Sequence, residues 1–202
     1  MSDSDGRVRC PWCLGSEIYK SYHDEEWGRP CHDEEMLFEF LVLEGAQAGL
    51  SWLTVLKRRD AYREAFSGFD PVAVAAFGPD RVESLMKNSG IIRNRAKITS
   101  SINNAARFLD IRVEFGSFDR YIWGFTGGEP VVNNFNMDNH PPSETDISRA
   151  MSRDLRKRGF SFVGPTICYA FMQAVGIVND HYVECWLRDG GNIPAPAFFG
   201  DS

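Results

Sequence analysis

The sequence predicts an all-α protein of one domain, and three observations carry that prediction. Apolar residues recur at helical spacing along most of the chain, no alternating apolar and polar run is long enough to specify a strand, and cap residues or glycines punctuate the helical stretches. At 202 residues, 43% of them hydrophobic, the chain can bury one substantial core and is too short to expect several. The single domain is expected to cover residues 1–202, with a core at about 8–187 and a loose tail over 188–202, where Gly, Pro and Asn gather.

Each element has a local reason. Asp33 is placed to cap a helix whose stripe of Met36, Leu37, Phe40, Leu41 and Leu43 ends near residues 45–49. Ser51 caps the next, which carries Trp52, Val55, Leu56 and Tyr62 up to Phe66 and closes at Gly68. Pro71 opens a short helix ending near Gly78, and another spans 79–88 before Gly90. A longer helix over 94–109 sets Ile98, Ile102, Ala105 and Phe108 on one side, and 118–125 is short and aromatic. The polar stretch 127–142 reads as a loop. Ser143 and Thr145 offer caps for a helix running to Arg158, broken by Gly159, and 164–176 forms the helix after it.

The net charge of -6 and a pI near 5.3 argue against nucleic-acid binding through bulk electrostatics. Local contacts stay open, because backbone amides and small basic clusters can hold a few phosphates on an acidic protein. Such clusters occur at Lys57, Arg58 and Arg59, at Arg93, Arg95 and Lys97, and at Arg153, Arg156, Lys157 and Arg158; solvated helix faces produce the same pattern. No stretch has the roughly 20 apolar residues of a membrane span, and the first ten residues lack the apolar centre of a signal peptide. The expectation is a soluble cytoplasmic protein, whose five cysteines are free thiols or metal ligands.

Three constellations carry chemistry. Cys10, Cys13 and His23 lie near the start, and His181 and Cys185 near the end, the latter pair at the one-turn spacing of tetrahedral zinc ligands. Five candidates compete for four places, and a metal joining them would close a loop of about 160 residues. The second constellation is Trp12, Tyr19, Tyr22 and Trp27 with the segment 43–52, in which Glu44 sits at an apolar helix end before Trp52. A carboxylate there is costly unless it meets a partner or faces a cleft. It could be an ion-pair partner of a neighbouring helix, or it could serve a planar cation held between rings. The third is the glycine-containing turn from Arg158 to Thr166, where close backbone approach and free helix-start amides could hold a phosphate.

At these residues the chain closely resembles the 3-methyladenine DNA glycosylase I (Tag) family. The matching stretches are Cys10-Pro11-Trp12, Tyr22-His23-Asp24-Glu25-Glu26-Trp27-Gly28, residues 43–52, Gly90-Ile91-Ile92-Arg93, Lys157-Arg158-Gly159-Phe160, residues 162–169, and Val178-Asn179-Asp180-His181. The resemblance implies a helix-hairpin-helix DNA glycosylase fold with a structural zinc joining the N- and C-terminal regions. It implies Cys10, His23, His181 and Cys185 as the zinc ligands, with Cys13 left over. It implies a base pocket of Glu44, Trp12, Tyr19, Tyr22 and Trp52, with Glu44 as the catalytic candidate, and a DNA-gripping hairpin at Gly159, Phe162, Gly164 and Thr166. The partners implied are double-stranded DNA carrying alkylated adenine and free 3-methyladenine as product, taken by a monomer.

Two departures from the wider superfamily bear on mechanism. The catalytic Asp of many relatives falls on Asn179, so that Asp180, one residue on, is expected to point elsewhere. Relatives with lyase activity carry a Lys where this chain has Thr166, so no Schiff base is expected. Two other functions compete: a zinc-stabilised DNA-binding module without catalysis, which has no use for Glu44 among aromatic rings, and a catalytic zinc enzyme, which would leave a coordination position open to water.

Overall fold

The computed structural model describes residues 5–189. Its helices are α1 (Glu17–Glu25), α2 (Glu34–Gln47), α3 (Trp52–Leu56), α4 (Arg59–Ala65), α5 (Pro71–Ala75), α6 (Pro79–Lys87), α7 (Arg95–Phe115), α8 (Phe118–Trp123), α9 (Asp146–Lys157) and α10 (Pro165–Ala174). Short 3-10 turns cover Pro11–Gly15, Ser67–Phe69 and Gly124–Thr126. Two-residue strands β1 (Val131–Val132) and β2 (Val178–Asn179) pair in parallel, Val131 opposite Val178.

Helix α2 organises the molecule. Asp33 caps it by accepting from the Met36 amide at 2.8 Å, and every residue from Leu37 to Ala46 is buried. A helix apolar all round belongs at the centre of a core, and α2 packs there against α7, α8 and α10. Phe38 meets Phe108 of α7 at 5.3 Å between ring centroids, and Phe108 stacks on Phe118 of α8 at 4.2 Å. Two charges enter this core as acceptor and donor of the same network: Glu39 on α2 accepts from Arg59 at 2.5 Å and from Arg63 at 3.0 Å.

The caps read from sequence act as such at Asp33, Ser51 and Thr145, the last in a reciprocal capping box with Ser148, and Asn94 caps α7 in the same way. Four elements differ from expectation. The stretch expected as one helix after Ser51 is two, because the chain turns at Arg58 (φ -113°, ψ 3°) and directs Arg59 toward Glu26 and Glu39. The helix expected to end at 109 runs to Phe115, since Ile111 continues the buried stripe. Helix α1 was not anticipated, its charged residues masking the buried pair Tyr22 and His23. The loop 127–142 contributes β1, a strand too short to alternate. The tail expected over 188–202 lies, from 190 on, outside the described residues. Among the described residues no helix is long and apolar enough to cross a membrane.

Candidate active site and metal centre

Residues from the N-terminal and C-terminal parts of the described region meet at a sulfur and imidazole cluster. Ligating atoms of Cys10, His23, His181 and Cys185 all lie within 4.8 Å of one another, and all four residues are buried. Cys185 Sγ is 3.4 Å from His23 Nε2 and 3.5 Å from His181 Nδ1, and Cys10 Sγ is 3.7 Å from His181 Nδ1. A tetrahedral zinc has sulfur-to-nitrogen edges of about 3.6 Å, given bonds near 2.3 and 2.0 Å, so these separations fit a four-coordinate ion.

The outward nitrogens of the two imidazoles are also engaged. His23 Nδ1 meets Asp24 Oδ1 at 2.8 Å, and His181 Nε2 meets the Trp27 carbonyl oxygen at 3.1 Å. Such partners fix the ring orientation and tautomer that leave the inward nitrogens as lone-pair donors. The cluster is approached closely by backbone: a Cβ on Gly28, whose φ is +75°, would come within 2.8 Å of His181 Nε2. Cys13 stays outside the group and donates its thiol to the Cys10 carbonyl oxygen at 3.1 Å. Of the five candidates, the four other than Cys13 form the group that could hold a metal ion.

Beside this cluster a cleft of about 240 Å³ is walled by Trp12, Tyr19, Tyr22, Trp27 and Trp52, with Glu44 and Gln47 from the end of α2. Its far side is closed by Pro141, Ala170, Gln173, Asp180 and Tyr182. The rings brace each other edge to face, Trp12 lying 5.6 Å from Tyr19 and 5.0 Å from Trp27. Tyr22 is 5.6 Å from Trp52. Tyr19 is tied down differently: its hydroxyl accepts from the Leu53 amide at 2.9 Å, joining α1 to the start of α3.

Glu44 is 3% exposed, and its Oε2 has no hydrogen-bond partner among the described residues. Trp52 Nε1 is likewise buried without an acceptor. Buried polar atoms are seldom left unpaired, and a donor and an acceptor left so on the wall of one cleft are set for a ligand. Burial pushes the Glu44 carboxyl up to about 8, so near neutral pH the empty cleft holds it mostly protonated. A cation entering the cleft would favour the carboxylate form.

Lys97, counted in sequence as part of a basic cluster, has another task. Its ammonium donates to the carbonyl oxygens of Ala46 and Ala48 at 2.7 and 2.6 Å, closing the end of α2 that carries Glu44 and Gln47. Arg95 and Arg158 pair with Glu83 and Glu114. Arg153, Arg156 and Lys157 are exposed and make no ion pair among the described residues.

The turn between α9 and α10 is rigidly held. Gly159 and Phe162 adopt positive φ (89° and 55°), the Asn104 side chain bonds both the amide and the carbonyl of Ser161, and Ser152 donates to the Val163 carbonyl at 2.6 Å. Gly164 precedes α10, and no acceptor among the described residues meets the amides of Gly164 and Thr166.

One expectation is overturned. Asp180 does not point elsewhere: it is 1% exposed and lines the cleft, whereas Asn179 turns to the Arg188 carbonyl oxygen. The β1 and β2 pairing sets this register, bringing Asn133 across to Asp180. Gln173, Tyr182 and Pro141 were missed as lining residues. Only the i, i+4 relation of Tyr169 to Gln173, ahead of a candidate metal ligand, could have hinted at them.

An all-helical domain that gathers six aromatic residues and two buried carboxyls around one small cleft, beside a Cys2His2 cluster, is a receptor for a flat heterocycle bearing hydrogen-bonding edges. The model of the family described as Methyladenine glycosylase matches residues 12–189, and the chain belongs to that family. It is 49% identical over 182 residues to DNA-3-methyladenine glycosylase 1 of Escherichia coli, covering 90% of this chain and 97% of that protein. It is 47% identical over 178 residues to the DNA-3-methyladenine glycosylase of Haemophilus influenzae, covering 88% and 96% respectively. A solved 3-methyladenine DNA glycosylase I in complex with 3-methyladenine superimposes with a TM-score of 0.87 at 33% identity, over 91% of this chain and 99% of that one.

Proposed function

We propose that this protein is a monofunctional DNA repair glycosylase that hydrolyses the N-glycosidic bond of 3-methyladenine in alkylated DNA. The observation that carries the reading is the buried, unpartnered Glu44 carboxyl on the wall of an aromatic cleft, in a chain of the methyladenine glycosylase family. The base is extruded from the duplex into the cleft. Trp12, Tyr19, Tyr22 and Trp52 enclose its faces, and Glu44 accepts from its exocyclic amine. Methylation at N3 has already made the ring cationic. Water forms the new bond at C1′, the base leaves with the glycosidic electron pair as a neutral molecule, and the water proton passes to solvent. Only modest acceleration is required, so extrusion and fit do most of the selecting.

Cys10, His23, His181 and Cys185 would hold one zinc ion, which would clasp the N- and C-terminal parts of the domain together. With four protein ligands such an ion would serve structure and would not supply a water nucleophile. The separations described above support this set, and metal analysis is expected to return one zinc per chain. A site that uses Cys13 in place of Cys10, or that coordinates water, would overturn it.

DNA is held by the hairpin of Gly159, Phe162, Gly164 and Thr166, through main-chain amides at the start of α10 and with Arg153, Arg156 and Lys157 nearby. A Cβ on Gly164 would find its closest neighbour at 3.4 Å, the end of the flexible Arg156 side chain, so Gly164→Asp is expected to fold. Its carboxylate would stand where a phosphate approaches. Affinity for abasic DNA should fall by roughly 10-fold or more while free 3-methyladenine binds as before, and equal loss of both would mean that the hairpin has been misassigned.

The protein acts as a cytoplasmic monomer in this reading. Incubation with methylated duplex is expected to release 3-methyladenine and leave an abasic strand that is cut only on alkali treatment. Release of no base would leave a DNA-binding module, and borohydride trapping of a covalent complex would contradict the hydrolytic mechanism.

A further inference from the structure

The cleft contains a second carboxylate, and its surroundings differ from those of Glu44. Asp180 Oδ2 accepts from the Tyr169 hydroxyl at 2.5 Å and from Gln173 Nε2 at 2.8 Å, and Oδ1 accepts from Asn133 Nδ2 at 2.7 Å. All three donors are neutral. A carboxyl group that accepts on both oxygens behaves as the ionised, acceptor-only form, and among the described residues no Lys or Arg pairs with it. A buried anion is usually met by a cation. Here the partners fix the charge in place without cancelling it, and the group lines a cleft.

The framework around Asp180 is stiff. Tyr169 and Gln173 stand one turn apart on α10, and the Asn133 amide bonds the Asn179 carbonyl oxygen at 3.0 Å, continuing the β1 and β2 pair. The Gln173 amide nitrogen is committed to Asp180, so its oxygen is the part left to face a ligand.

We propose that Asp180 is a specificity-determining residue of this cleft, a fixed charge that favours a cationic alkylated nucleoside and the cationic sugar formed as it departs over the neutral base that is released. This rests on the glycosylase reading above. It assigns to Asp180 a field effect rather than proton transfer, since all its nearest donors are structural. A unit charge several ångströms away in a partly screened site discriminates between cation and neutral isostere by about 10-fold to 50-fold.

The test compares wild type with Asp180→Asn, after zinc content and melting have shown that the variant folds. Three quantities are measured: single-turnover excision of 3-methyladenine, affinity for free 3-methyladenine, and the ratio of affinities for duplexes carrying a cationic pyrrolidine or a neutral tetrahydrofuran abasic analogue. The variant is expected to lose about 10-fold or more in excision and in the pyrrolidine preference, with free-base affinity retained. An unchanged ratio, or equal weakening of every ligand, would overturn the proposal. Should Asp180→Asn fail to fold, the exchanged pair Asp180→Asn with Asn133→Asp returns a carboxylate to the same hydrogen bond. It is expected to keep the pyrrolidine preference, and losing it while folded would overturn the proposal too. A wild type that releases no 3-methyladenine would defeat the functional reading, whereas an active wild type matched by Asp180→Asn defeats the assignment of Asp180 alone.

Discussion

Replacing Glu44 with glutamine is expected to slow single-turnover excision of 3-methyladenine by about 10-fold to 150-fold, the equivalent of losing one hydrogen bond to a charged group at roughly 1.5 to 3 kcal/mol. The change preserves shape and removes only the capacity to ionise. In the empty cleft burial holds the Glu44 carboxyl near 8, so a cationic base entering at neutral pH drives off its proton. Cation binding by the wild type should therefore tighten as pH rises toward 8 and level off above it, while Glu44→Gln shows no such rise.

The same burial has the opposite effect on stability. A carboxyl that ionises near 4.5 in the unfolded chain and near 8 in the folded one loses protons first on unfolding. The ligand-free protein is thus destabilised progressively as pH climbs through that window, and fully so above it. Glu44→Gln should be the more stable protein at pH 8 by on the order of 3 to 5 kcal/mol, with little difference at pH 4. Denaturant midpoints at the two pH values read this directly. A variant that is less active and more stable identifies a residue kept for its ligand, and one unchanged in both respects would make Glu44 a structural residue.

Loss of the metal is expected to have the other large effect. The cluster joins α1 to the segment after β2, and His181, Trp27 and Gly28 are in mutual contact there. Cys185→Ala should release the zinc and lower stability by about 2 to 5 kcal/mol, the scale of removing a long-range cross-link. Chelation of wild type should do the same, and adding zinc back should reverse it. Base preference is expected to survive under conditions where the variant still folds, because no ligand of the cluster other than through its neighbours walls the cleft. Altered preference at full stability would place the metal in the chemistry.

The sequence made much of this site legible because its signals are local. Asp33, Ser51 and Thr145 stand where side-chain caps must stand, and the His181 to Cys185 spacing is one turn of backbone. Glu44 was conspicuous as a charge in an apolar helix that has no polar face to hold it. What stayed hidden depends on distant contacts. Lys97 looks like one more basic residue until α7 lies against α2 and its ammonium finds the Ala46 and Ala48 carbonyls. Asp180 was misread because a shift of one residue reverses a side chain's direction in a strand, and the register of β2 is set by β1, some 45 residues earlier in the chain. Helix α1 escaped because Lys20, Asp24 and Glu25 surround its aromatic stripe.

Selective release of base from DNA tests the account most directly. Under single-turnover conditions the wild-type protein is mixed with duplexes carrying one 3-methyladenine, one unmodified adenine at the same position, or one 7-methylguanine, and free base is followed over time. The account predicts release of 3-methyladenine alone, since unmodified adenine lacks the cationic ring, and 7-methylguanine, though cationic, presents a carbonyl where adenine presents the amine that Glu44 accepts from. Release of unmodified adenine at a comparable rate, or of no base at all from a zinc-loaded, folded protein, would contradict it.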